Sequence, residues 1–193
     1  MTRSADDDAL HEVQRMLGQC LLRLQAYEHL MKSIVAAHRV SASSAAFEKA
    51  FADRVSETSR KTLGTLVGEL MGSLLVPDGQ QGMKQSQDEV SSVAFQMQIV
   101  LSAEDFARTE ADLRDLVALR NRLVHHFVEE HELGTREGCL GAQEALAQAL
   151  DRISAASANL RSWAEDMMRV RVRTAEYLSS ADFQALIVAE HIP

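Results

Sequence analysis

The sequence predicts an all-α fold, an up-and-down helical bundle of four to five helices, and three observations predict it. Apolar residues recur at alternating steps of three and four over long stretches, which lines them up on one face of a helix. Only 9 Gly and 2 Pro occur in 193 residues, too few for the turns of a β-sandwich or barrel. The composition, 46% hydrophobic and 25% charged, is that of a chain that folds rather than stays disordered. At this length one core forms without staples, so a single helical domain over 1–193 is expected.

The first helix starts at Asp6, Asp7 and Asp8, whose carboxylates suit a helix N-terminus. Its stripe runs from Leu10 through Cys20, Tyr27 and Ile34 to His38. Ser41 to Ser44 read as a break and an N-cap. The next helical region carries Phe47, Phe51 and Val55, then Leu63, Leu66, Leu70 and Leu74, and reads either as one helix or as two divided near Ser56–Ser59. Val76-Pro77-Asp78-Gly79 reads as its stop. Residues 77–101 form a loop or strand insertion, polar at first. Val93, Phe95, Met97, Ile99 and Leu101 then alternate at period two, giving either one short β-strand near 93–101 or a helical turn. A strand there needs a partner from elsewhere in the chain or from another subunit.

Ser102, with Glu104 and Asp105 behind it, caps a third helix. Its stripe passes through Leu113, Leu116, Arg120, Leu123 and Phe127, and it is expected to end near Gly134. Thr135 caps a fourth long helix through Leu146, Ile153, Leu160, Met167 and Val170. Ser180 opens a short C-terminal helix over 180–193 with Phe183, Leu186 and Ile187.

Twenty Lys and Arg against 28 Asp and Glu leave a net charge of −8, which excludes a general basic surface, so any polyanion site must be local. Cys20 and Cys139 lie far apart without metal-ligand spacing, which argues against a disulfide framework. With no apolar signal segment at Met1–Leu10 and no transmembrane run, a cytoplasmic location is expected, away from the membrane.

The chemistry concentrates in Leu119-Arg120-Asn121-Arg122-Leu123-Val124-His125-His126-Phe127. Arg120 occupies a slot where the periodicity asks for an apolar residue, so it must meet an acid, a subunit interface or an anionic ligand. Asn121 and His125, four residues apart, share a helix face, and the amide is placed to hold the imidazole in one tautomer. Arginine stays charged and matches phosphate with a planar fork, while histidine trades protons near neutrality. Together they suit phosphodiester cleavage without a metal. A plainer reading pairs His125 with Glu129 and His126 with Glu130 as helix-surface ion pairs. No HExxH motif or third ligand accompanies those pairs, so no metal and no cofactor is expected. Arg161, Trp163, Arg169, Arg171 and Arg173 form the one concentrated basic stretch, either an RNA-backbone track or a solvated helix end.

Arg120-Asn121-x-x-x-His125, on a helix of an all-α chain of this size, resembles the R-x4–6-H signature of the HEPN superfamily. Its wording is similar to that of the toxins of HEPN–MNT toxin–antitoxin pairs. The resemblance is specific over about ten residues, and beyond them only helix content and length agree. It implies a HEPN-like helical domain and a metal-independent endoribonuclease of a toxin–antitoxin or defence system, acting on an RNA substrate. It also implies a homodimer, with an antitoxin or regulatory protein as partner. Arg120 and His125 would be catalytic with Asn121 in support, and Arg122 and His126 would bind substrate. Such toxins often carry Tyr where this chain has Phe127, which lacks the hydroxyl. The alternative is a non-catalytic HEPN-like module that binds RNA or a nucleotide, or serves regulatory dimerisation. On an ideal helix Arg120 and His125 point about 140° apart, which favours a site shared by two copies across a two-fold axis.

Overall fold

The computed structural model describes residues 5–42, 46–80, 93–183 and 185. The fold is all-α, with short strands as minor elements. In chain order the elements are α1 (Ala5–Ala37), β1 (Arg39–Ala42), α2 (Phe47–Ser59), α3 (Leu63–Leu70), β2 (Leu75–Pro77), β3 (Val93–Gln96), β4 (Ile99–Leu101), α4 (Ala103–His125), α5 (Phe127–Glu130) and α6 (Arg136–Leu178). The chain divides into two compact units, residues 1–160 and 161–193.

In the first unit α1 is the central helix, and α2, α3 and α4 pack against it. Its expected stripe is the buried one: Val13, Cys20, Leu24, Tyr27, Met31 and Ile34 are all in the core. The start of α6 lies on α1 as well. Gln143 donates to the Ala9 carbonyl at 3.0 Å, and the Cys20 thiol points at the Leu146 carbonyl at 3.7 Å. Both cysteines are free thiols and buried.

The region after α1 is two helices rather than one. α2 ends at Ser59, and Thr62 caps α3 by accepting from the Thr65 N–H at 3.4 Å. Lys61 in the break holds Glu57 at 2.8 Å and Glu69 at 2.5 Å, tying the two helices together. Two boundaries differ from the sequence expectation. α3 stops at Leu70, well before Pro77, because Leu75–Pro77 is drawn into a strand. Ser41 and Ala42 belong to β1 rather than to a cap, while residues 43–45 lie outside the described residues.

The alternating stretch 93–101 is two strands with two different partners. β3 pairs antiparallel with β1, with Arg39 opposite Gln96 and Ala42 opposite Val93. β4 pairs parallel with β2, with Leu75 opposite Ile99 and Pro77 opposite Leu101. Met97 between them is buried and donates its N–H to the His38 carbonyl at 2.8 Å. The partner strands therefore come from the same chain. Residues 81–92 of the expected 77–101 insertion lie outside the described residues.

α4 packs on α1, α3, β2 and β4. The third helix does not run on to Gly134. It ends at His125, His126 turns the chain with φ −125° and ψ −7°, and α5 is a single further turn. That turn brings the Phe127 ring into the core, where it meets the His131 ring at 4.7 Å. Thr135 caps α6 as expected, its hydroxyl accepting from the Gly138 N–H at 3.1 Å.

In the second unit Tyr177 meets the Phe183 ring at 5.4 Å, and Ser180 accepts from the Phe183 N–H at 3.3 Å. Residues 181–183 are helical, and most of the expected helix over 180–193 lies outside the described residues. Leu186 and Ile187 lie outside the described residues. Of the basic stretch, Arg161, Arg169 and Arg173 are exposed, and Arg169 forms an ion pair with Asp166.

Candidate functional site at the C-terminal end of α4

Local chemistry fixes both ends of α4. The Ser102 hydroxyl accepts from the Asp105 N–H at 3.1 Å, and Glu104 and Asp105 stand against the positive end of the helix dipole. At the other end Arg122 and His125 occupy the last turn, where cations are favoured. The buried face is Leu113, Leu116, Leu119 and Leu123. Leu119, not Arg120, fills the apolar slot of the stripe, so Arg120 escapes full burial and stands half-buried at its edge. Asn121, Arg122, His125 and His126 are exposed.

Of the acid, interface or anionic ligand expected for Arg120, no acid pairs with it among the described residues. Its guanidinium instead donates to Oδ1 of Asn121 at 3.3 Å. The Asn121 amide thus serves the arginine rather than the His125 imidazole. His125 lies edge-on to His126, with ring centroids 6.3 Å apart and planes at 67°. His126 pairs with Glu129, Nδ1 to Oε2 at 3.2 Å, one residue earlier than the i+4 spacing proposed for it. Arg122 reaches Glu130 only at 3.8 Å. The structure therefore joins Arg120 to Asn121, His125 to His126, and Arg122 to Glu130. Among the described residues no hydrogen bond, ion pair or ring contact joins Arg120 to His125.

Two clefts flank this end of the helix. One, of 300 Å³, runs between α4, α5 and α6, with Arg122, Glu130, His131, Gln148 and Arg152 around a floor that includes Leu119, Leu123 and Phe127. The other, of 620 Å³, runs between α3 and α4, with Asn121 and the Glu110–Arg114 ion pair along its wall. Sequence reading passed over His131, Gln148 and Arg152. Two of these lie on α6, and only the packing of α6 beside α4 brings them to the motif. The single hint was the position of Arg152 beside Ile153, a buried stripe residue.

The arrangement offers a guanidinium free of carboxylates among the described residues, an amide that aims it, and imidazoles open to solvent. That set can bind a phosphate and exchange protons with it. Among the described residues no group of three or more His, Cys, Asp and Glu side chains is placed to hold a metal ion, and no helix is long and apolar enough to cross a membrane. No family model, curated protein or solved structure matches the chain.

Proposed function

We propose that this chain is a HEPN-like, metal-independent endoribonuclease of a toxin–antitoxin or defence system, acting in the cytoplasm as a homodimer and held in check by a protein partner. The observation that carries the reading is the Arg120–Asn121 pair at the exposed end of α4. A half-buried guanidinium is oriented there by an amide, with no acid paired to it among the described residues, in the same motif as an exposed imidazole. In the reaction the RNA 2′-oxygen attacks its own phosphorus and the bond to the 5′-oxygen breaks, leaving a 2′,3′-cyclic phosphate and a 5′-hydroxyl. His125 takes the proton of the 2′-hydroxyl or supplies one to the departing 5′-oxygen. Arg120 balances the charge that builds on the phosphoryl oxygens, and Arg122 and His126 hold the strand. Residues five apart on a helix diverge by about 140°, so the Arg120 of one copy works with the His125 of the other across the two-fold axis.

Purified protein should cleave total RNA in EDTA, and Arg120→Ala and His125→Ala should each abolish cleavage while leaving the circular dichroism spectrum unchanged. Variants that cleave as well as the parent would overturn the assignment. One observation favours a second reading, a non-catalytic HEPN-like module that binds RNA or a nucleotide: Asn121 bonds Arg120, and among the described residues no hydrogen bond sets the tautomer of His125. RNA binding without cleavage in the parent protein would select that reading.

A further inference from the structure

We infer that the 300 Å³ cleft between α4, α5 and α6 is a subsite for one nucleotide, with its phosphate between Arg122 and Arg152. The two guanidiniums come from different helices and line the same cleft. Each is only loosely engaged, Arg122 with Glu130 and Arg152 with Asp115, both at 3.8 Å. Contacts that long leave the planar forks with donors to spare for an anion. In a chain of net charge −8, the two arginines face one acid each, Glu130 and Asp115, so the cleft is locally balanced rather than acidic, and a phosphate can compete for contacts as long as 3.8 Å.

Leu119, Leu123 and Phe127 are core residues that close the cleft from below while remaining almost wholly buried, and the His131 ring, which meets Phe127 at 4.7 Å, lines the cleft beside them, so contact with a base falls to the wall side chains. Gln148 on the wall carries both a donor and an acceptor for the base edge. A volume of 300 Å³ is at the small end of ligand sites, which fits one nucleotide and is too small for a dinucleotide cofactor. Arg122 stands two residues, about 200°, around α4 from Arg120, so the subsite lies on a different face of the helix from the motif and would engage another part of the bound strand. That engagement rests on the nuclease reading, whereas binding of a single nucleotide does not.

The test uses two probes on the full chain: adenosine 5′-monophosphate, and a 2′-O-methyl oligoribonucleotide whose capped 2′-oxygen cannot attack. Calorimetric titration of the parent should show binding of both, with inorganic phosphate competing. Arg152→Gln should weaken both by about tenfold or more, the loss expected for hydrogen bonds to a charged group. In the cleavage assay it should raise KM with kcat unchanged. His125→Ala should bind the oligonucleotide as the parent does. Arg152→Lys, which keeps the charge and the stem, guards against a folding artefact and should recover part of the affinity. If the parent binds neither probe, or Arg152→Gln binds as tightly as the parent, the subsite is overturned. Arg152-dependent binding without RNA cleavage would establish the subsite and defeat the nuclease reading instead.

Discussion

The guanidinium of Arg120 donates to the side-chain oxygen of Asn121 at 3.3 Å, a contact between consecutive residues. Neighbours on a helix diverge by about 100°, so only a long side chain bending back onto a short one can make it. The amide sets where the positive charge rests without cancelling it.

Replacing that amide with a carboxylate should silence the site. Asn121→Asp keeps the shape and adds a charge that competes with phosphate for Arg120, so RNA cleavage should fall by roughly 100-fold. Arg120→Lys keeps the charge but loses the fork and should cost a similar factor. Both positions are at or near the surface, so the melting temperature should stay within about 2 °C of the parent value. Cleavage rates and thermal melts on the same preparations check the pair of claims.

His38 should make stability depend on pH. Its ring is buried, Nδ1 donates to the Val35 carbonyl at 2.8 Å, and Nε2 has no partner among the described residues. Burial is the main cause holding its pKa below the ordinary 6.5. The Val35 hydrogen bond opposes the shift, nearby Arg54 and Arg39 add to it, and Glu69 opposes it. The folded chain thus binds fewer protons at this site than the unfolded chain. Stability from His38 is complete above the unfolded value and is lost as the pH falls from there toward the lower folded value. Urea midpoints should drop between pH 7 and pH 5 in the parent, and the drop should shrink in His38→Leu. The leucine is tolerated at neutral pH because Arg54 also donates to the Val35 carbonyl, at 3.0 Å.

Arg54 closes the end of α1 from α2. It donates to the carbonyls of Val35 and Ala36 at 3.0 and 3.1 Å, two of the acceptors a helix end leaves open. Arg54→Ala strips the charged donor from both and should cost about 2 kcal/mol, read from the urea midpoint at constant m.

Two glycines should respond in opposite directions. A Cβ on Gly138 would stand 2.0 Å from the Glu132 carbonyl oxygen, a backbone atom held by the turn that starts α6. Gly138→Ala should destabilise by about 3 kcal/mol, as overpacking against rigid backbone does. A Cβ on Gly68, inside α3, meets nothing within 4 Å. Gly68→Ala should stabilise by about 0.5–1 kcal/mol through the helix preference of alanine. Paired denaturation curves decide both.

The helices were legible because burial and periodicity coincide. The α1 stripe through Cys20, Tyr27 and Met31 is the buried face itself. The errors fall where one residue decides between neighbouring slots. Leu119 and Arg120 both satisfy a three-or-four step, and only the packing shows that leucine takes the inward position. His126 carries no breaking residue type, yet it ends α4 so that Phe127 can reach the core. β1 left no trace in the pattern, since four residues after a long helix are too few to display alternation. The motif at 120–126 was readable as a string, but the clefts beside it depend on α3 and α6, whose positions no local spacing records.

The split of residues 93–101 between β1 and β2 governs the order in which the chain completes itself. During synthesis α1, α2 and α3 emerge first and can coil from local contacts alone. β1 and β2 then expose edges with unpaired amides and carbonyls until the later segment arrives to pair with both. A predominantly helical protein thereby acquires a non-local closing step, and its folding should be slower than helix content alone suggests. In that interval the nascent N-terminal part offers two strand edges to other chains, and a chaperone that shields them would raise the yield of native protein.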